Sequence, residues 1–404
     1  MENQTNWIED QWGLVGVHDP TIIKDRTKYY MFSTDTKLEG QLTVGGQIRM
    51  STDLQHWRYL QTALSGVPMP AKAWSNATGL WAPEIKKIGQ KFMMYYSAST
   101  FGSRTSCIGL ATADHAIGPW HDQGLVIKTN GHQNGQNAID ANLVIDRQKR
   151  PWLVYGSFFG GIYIVEIDAQ TGFTKKQDDQ GTRIVQRPAE IGDGAVEGCY
   201  IQYQPEQDYY YLFMSYDSLT WSYNVRVARS REITGPYLDF MDQSVIYPRG
   251  GNYDQIGTKI LGSYQFNDHY AWIAPGHNSI FNDDNMQLMV HHVRKEPNQE
   301  ESYGFIRKVY YLKNGWPVVS PNFYHRDEKI MNNKLIERRT GEEIWWTTSS
   351  EVILGQFITI DRTFLNSLDD YIVINSYDWE KKEWYNYLLG MTHSGTSCWV
   401  RLNR

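Results

Sequence analysis

Three acids, Asp19, Asp140 and Glu197, and one histidine, His277, fall at matching positions of a unit that recurs along the chain, with Ala82 at the fifth such position. Carboxylates gathered around one axis cannot all ionise comfortably, so some of them must have displaced acidities. Two carboxyl groups of separated acidity are the equipment of glycoside hydrolysis: one protonates the leaving oxygen, and the other activates water or attacks. Each acid taken alone also reads as a local feature. Asp19 precedes Pro20 and can set a turn, Asp140 precedes Ala141-Asn142 and can cap a loop, and Glu197 precedes Gly198 and can face solvent. Their common register favours chemistry, because the acids of the turns, Asp25, Asp146 and Asp283, sit elsewhere in the unit.

The unit that must position them is clearest at GVHDPTIIKDRTKYYMFSTD from Gly16: an acid, a short apolar strand, a polar turn and an aromatic strand. It returns as WAPEIKKIGQKFMMYYSAS, IDANLVIDRQKRPWLVYGSF, VEGCYIQYQPEQDYYYLFMSYD and GHNSIFNDDNMQLMVHHV, making five copies. Polar clusters between apolar runs predict hairpins. Repetition at this period, without helical patterning, predicts a five-bladed β-propeller over residues 1–321, the innermost strand of each blade lining a central channel. A β-sandwich is the competing fold. After GWPVVSP the repeat stops, and the strand signals of residues 322–404 predict a small all-β C-terminal domain, a barrel or sandwich. There Trp379 and Trp384 could grip a sugar chain, although aromatics at strand spacing more often pack in a core.

Composition narrows the partner. With 15 Trp and 27 Tyr and a net charge of −6 over 404 residues, the chain suits a neutral ligand that stacks on rings better than a nucleic acid. Cys107, Cys199 and Cys398 have no paired spacing and imply neither a disulfide framework nor a zinc site. No apolar run is long enough for a membrane helix and no leader is visible, so the expected location is cytoplasmic, or extracellular if a leader has been removed.

The motifs VHDPTII, WAPEI with YYSASTFGS, AIDANLV with VYGSFFGGIY, AVEGCYI, APGHNSIF and GWPVVSP, in this order over residues 14–321, resemble the arabinanase branch of glycoside hydrolase family 43. The resemblance implies a five-bladed propeller that hydrolyses internal α-1,5-linked L-arabinofuranose bonds of arabinan and arabino-oligosaccharides with inversion. It implies Asp19 as general base, Glu197 as general acid and Asp140 as the third carboxylate, which orients the substrate and raises the acid's pKa. Trp81, Phe101, Asn142 and Ser157 match substrate-contacting positions, and His277 matches a histidine that holds a calcium ion on the axis. From the residue alone, a hydrogen-bonded channel histidine is the safer reading of His277, since calcium prefers oxygen ligands, and only the resemblance points to a metal. One departure is Glu84, where many members carry Asp. An exo-acting arabinofuranosidase, a β-xylosidase and a non-catalytic sugar-binding propeller remain as alternatives.

Overall fold

The computed structural model describes residues 13–38, 40–131, 135–246, 253–331 and 338–403; the polar lead with Trp7 and Trp12 lies outside them. The architecture is all-β. Five sheets, antiparallel except for one short parallel pair in the fifth, follow one another, and contain in turn the strands Thr21–Asp25, Trp81–Ile88, Asn142–Ile145, Val196–Gln204 and Trp272–Asp283. These five strands open the five copies of the unit, and each pairs with the aromatic strand that follows it. The hairpin turns fall where the polar clusters predict them. Asp25 pairs with Lys28 and Asp283 with Met286, leaving two-residue turns in which Arg26 and Asp284 adopt φ of 56° and 50°.

Each of these opening strands packs against the next, and that of the fifth sheet packs against that of the first. A clasp reinforces this last contact: Lys24 Nζ and the Tyr29 hydroxyl both donate to the Asp283 carboxylate, at 2.6 and 2.5 Å. Asp283 is thus more than a turn residue.

A second device links the sheets at the other end of these strands. In or just before each one, a residue takes a left-handed conformation: Asp19, Ala82, Asp140, Gly198 and His277, with φ of 49°, 38°, 60°, 55° and 47°. Such a conformation costs a non-glycine residue about 1–2 kcal/mol, and here it is held by hydrogen bonds from sheet to sheet. The amide of Ala82 donates to Thr34 Oγ1 of the first sheet at 2.8 Å, that of Asp140 to Ser97 Oγ of the second at 3.0 Å, and that of His277 to Ser215 Oγ of the fourth at 2.7 Å. The amide of Asp19 donates to His292 Nδ1 of the fifth sheet at 3.3 Å, so the pattern runs back to the start.

This geometry corrects the sequence register by one residue. The alignment sets Glu197 level with Asp19, Asp140 and His277, whereas Gly198 holds the left-handed position and Glu197 comes before it, level with His18, Trp81, Ile139 and Gly276. The ladder is interrupted at corresponding places, between Trp81 and Glu84, Glu197 and Tyr200, and Gly276 and Ser279. Spacing along a chain does not reveal on which side of a bulge a side chain stands.

The residues after 321 form one six-stranded antiparallel sheet in the order Lys329–Ile330, Leu368–Asp378, Glu383–Thr392, Ser397–Leu402, Thr340–Trp345, Gln356–Thr359. Its core is continuous with that of the fifth sheet: the Trp399 ring lies 5.1 Å from Tyr264 and 4.8 Å from Trp346, and its indole donates to Val319 O at 2.9 Å. Ile353–Leu354 extends the fifth sheet by pairing with Tyr264–Gln265. Trp379 and Trp384 pack around His325 and Tyr377, and Trp379 donates to Phe323 O.

Replacing Ser215 by Ala leaves the buried His277 amide without its acceptor and is expected to lower the unfolding free energy by about 1–3 kcal/mol. Urea denaturation followed by tryptophan fluorescence measures this, and an unchanged midpoint would mean that the inter-sheet bond is not load-carrying.

Candidate active site

Of the left-handed residues and those just before them, His18, Asp19, Trp81, Ile139, Asp140, Glu197 and His277 line one cleft of about 550 Å³, together with Phe101, Ser157, Tyr223 and His292 among others. Seven of the eight residues singled out in the sequence line it; Asn142 does not. Asn142 is 1% exposed and its amide is consumed inside the protein, donating to Glu84 Oε1 at 3.1 Å and accepting from the Ile201 amide at 2.9 Å. It is a bracket between sheets and does not reach substrate. Glu84 is the hub of that bracket, since its second oxygen accepts from Thr21 Oγ1 at 3.0 Å.

Asp19 sits in a nest of imidazole and hydroxyl groups. Its Oδ1 lies 3.0 Å from His277 Nδ1, 3.4 Å from His292 Nδ1 and 3.5 Å from His18 Nε2, and its Oδ2 accepts from Thr34 Oγ1 at 2.6 Å. Burial works against the charged carboxylate, but His18 and His277 outweigh it and hold Asp19 well below the usual carboxylate range. Glu197 is placed differently. Ser157 Oγ donates to its Oε2 at 2.7 Å and the Tyr223 hydroxyl to its Oε1 at 2.9 Å. Burial is the leading influence and pushes this carboxyl upward, with Asp19 adding to the effect against the two hydroxyls and His277. Asp140 is also raised, by burial first, with Glu197 and Asp19 adding to it. Its Oδ2 accepts from the Gly198 amide at 3.2 Å, joining the third carboxylate to the residue beside Glu197. One cleft therefore holds one carboxyl pushed below its usual range and two pushed above theirs.

Two glycines make room for this. A side chain at Gly276 would stand 2.2 Å from the Tyr223 ring and displace the hydroxyl from Glu197. One at Gly198 would stand 2.9 Å from the His277 ring.

His18, Thr34, Tyr223, His292 and Arg294 also line the cleft and were not found in the sequence. For two of them a signal existed: in four of the five units the aromatic strand carries a hydroxyl or imidazole residue near its end, Thr34, Ser97, Ser215 and His292, a second register that matches the first, with Gly156 at the place in the third. His18 and His292 stack at 3.9 Å, and burial pushes His18 down to about 3.

The fit of a calcium ion can be tested at His277. Burial opposes charge on this ring, yet Asp19, Asp140 and Glu197 raise it to about 10, so the position calls for a positive charge. Beside it, a small cavity lined by Asp19, Asp140, Gly198, His277 and Asn278 contains the Asn278 side-chain oxygen and nitrogen, both buried without a partner. Unpaired amide atoms in a polar cavity suit water or a hydrated ion. The residues fit calcium held on His277 through water, not an ion caged by protein. The grouping of three ligand atoms within reach of one another, His18, Asp19 and His292, leaves His277 out and is too rich in nitrogen for calcium.

The Tyr223 hydroxyl favours the charged form of Glu197, so Tyr223→Phe is expected to move the Glu197 titration to higher pH. Carboxyl ¹³C NMR measures the shift, and a movement to lower pH would contradict the arrangement.

Comparison with known proteins gives the chain a family. Residues 15–317 match the family described as Glycosyl hydrolases family 43. The chain is 29% identical to an extracellular endo-α-(1→5)-L-arabinanase of Thermotoga petrophila, over 93% of this chain and 84% of that protein. It is 35% identical to extracellular endo-α-(1→5)-L-arabinanase 1 of Bacillus subtilis, over 70% of this chain and 81% of that one. A crystal structure of a family 43 glycoside hydrolase from Bacillus licheniformis superposes with a TM-score of 0.84 at 26% identity, covering 96% and 98% of the two chains. Among the described residues no helix is long and apolar enough to cross a membrane. The chain belongs to glycosyl hydrolase family 43.

Proposed function

We propose that the protein is an endo-acting glycosidase that cleaves internal α-1,5-L-arabinofuranosidic bonds of arabinan with inversion of configuration. The observation that carries the reading is the split in acidity within one cleft: Asp19 held low among imidazoles, Glu197 held high by burial. Asp19, ionised, takes a proton from the attacking water. Glu197, protonated, gives its proton to the leaving sugar oxygen as the bond breaks. Asp140 accepts from the Gly198 amide and so fixes the backbone on which Glu197 stands. Ser157 and Tyr223 fix the direction of the Glu197 carboxyl. Trp81 and Phe101, at the cleft wall, supply ring faces for the sugar.

The five sheets are read as the blades of a propeller, supported by the cyclic contacts of their opening strands and by the amide links that return from the fifth sheet to the first. Residues 1–321 then form the catalytic domain and residues 322–404 an appended all-β domain. His277, with water and Asn278, would hold calcium, which when bound supplies positive charge next to the three carboxylates. The names of the relatives and the polymeric substrate favour action outside the cell over the cytoplasmic expectation.

Linear arabinan incubated with the protein should yield oligosaccharides before free arabinose on chromatography, and exhaustive chelation should lower the rate until calcium is restored. Glu197→Gln should reduce kcat about a thousandfold. Arabinose as the first product, or full activity in the Gln variant, would overturn the endo mode or the acid assignment respectively.

A further inference from the structure

Trp221 is 61% exposed, although it sits on a turn that is held closed. Its amide donates to Ser218 O at 3.2 Å and that of Ser222 to the same oxygen at 3.1 Å; Ser222 Oγ accepts from the Ser218 amide at 3.1 Å, and the Ser218 and Thr220 hydroxyls meet at 3.0 Å. The two ends of the turn are fastened as well. Leu219 O accepts from Arg294 Nε at 3.1 Å, and Asn224 Nδ2 donates to Ser222 O and to Asp217, each at 2.9 Å. Leu219 and Tyr223 line the cleft, and Tyr223 bonds the proposed acid. A large apolar ring is therefore presented to water by a turn whose neighbouring residues belong to the catalytic cleft. An indole left in water forgoes the gain of burial, and a rigid turn gives it little freedom to collapse onto the surface. The flat apolar face of an indole, with one N–H at its edge, suits a neutral sugar ring, which offers C–H groups on its faces and hydroxyls around its rim.

We infer that Trp221 is a platform for sugar units of the polymer that lie outside the catalytic cleft, making the enzyme prefer long chains over short ones. The inference rests on the polysaccharide-hydrolase reading above. Phe101, 85% exposed, approaches the cleft from the second sheet, whereas Trp221 belongs to the fourth. The two rings come from different sheets, so a unit held on Trp221 is a different unit from one held on Phe101. Such a contact holds units that do not react. It acts on the capture of polymer and leaves the proton transfers to Asp19 and Glu197.

The test compares kcat/KM on linear arabinan and on nitrophenyl α-L-arabinofuranoside or arabinotriose for the wild type, Trp221→Ala and Trp221→Phe. In the Ala variant the ratio of polymer to short-substrate efficiency should fall about tenfold, ~1.4 kcal/mol of lost contact, mainly through KM for the polymer. Phe should restore most of the ratio, because it keeps a ring. A ratio unchanged in Trp221→Ala, or an equal loss on all substrates, would overturn the inference while leaving the arabinan reading standing. Failure of the wild type to cleave arabinan at all would remove that reading and the inference with it.

Discussion

The structure depends on a left-handed residue at the mouth of each innermost strand, with its amide bonded to a side chain of the preceding sheet. The conformation is unfavourable for Asp19, Ala82, Asp140 and His277, and it persists because the neighbouring sheet supplies Thr34, Ser97, Ser215 or His292 as acceptor. These turns lie where Asp19, Asp140, Glu197 and His277, so far apart in sequence, come to share one cleft. The pattern changes at one link. Between the third and fourth sheets the equivalent position is Gly156, which has no side chain to accept, and the Gly198 amide goes to Asp140 instead, while Ser157, one residue further on, bonds the Glu197 carboxylate. The residue that takes the left-handed turn at this link is the glycine that does so at least cost.

The electrostatic division follows from the same placement. Asp19 stands where three imidazoles meet, contributed by its own neighbour His18 and by the fifth sheet through His277 and His292. Glu197 stands against hydroxyls and a tyrosine ring, with no cation in direct contact among the described residues. The charge of Asp19 is thereby stabilised and that of Glu197 is not. The sign of each shift comes from which sheet lies next to which, and it needs no special property of either acid.

Much of this was legible in the chain. Five polar turns between an apolar and an aromatic run gave the five hairpins, and the aligned acids led to the cleft. The register of Glu197 was off by one, because a bulge leaves no mark in residue spacing and Glu-Gly looks like an acid before a turn. Asn142 was placed on the substrate, whereas it braces Glu84 inside the protein; a polar side chain near a strand start reads alike in both roles. His292 was overlooked in the run MVHHV, where only one of two adjacent histidines faces the cleft. The last eighty residues showed their strands but not their continuity with the fifth sheet, since Tyr264, Trp346 and Trp399 meet only in three dimensions.

The central claim is that Asp19 works through a water molecule and never bonds the sugar. The anomeric configuration of the first product, followed by ¹H NMR during the opening minutes of arabinan hydrolysis, tests it most directly. Attack by water from the face opposite the leaving group predicts β-arabinofuranose as the initial reducing end, with the α form growing in by mutarotation. An initial α product would mean retention through a covalent intermediate and would contradict the roles given to both acids.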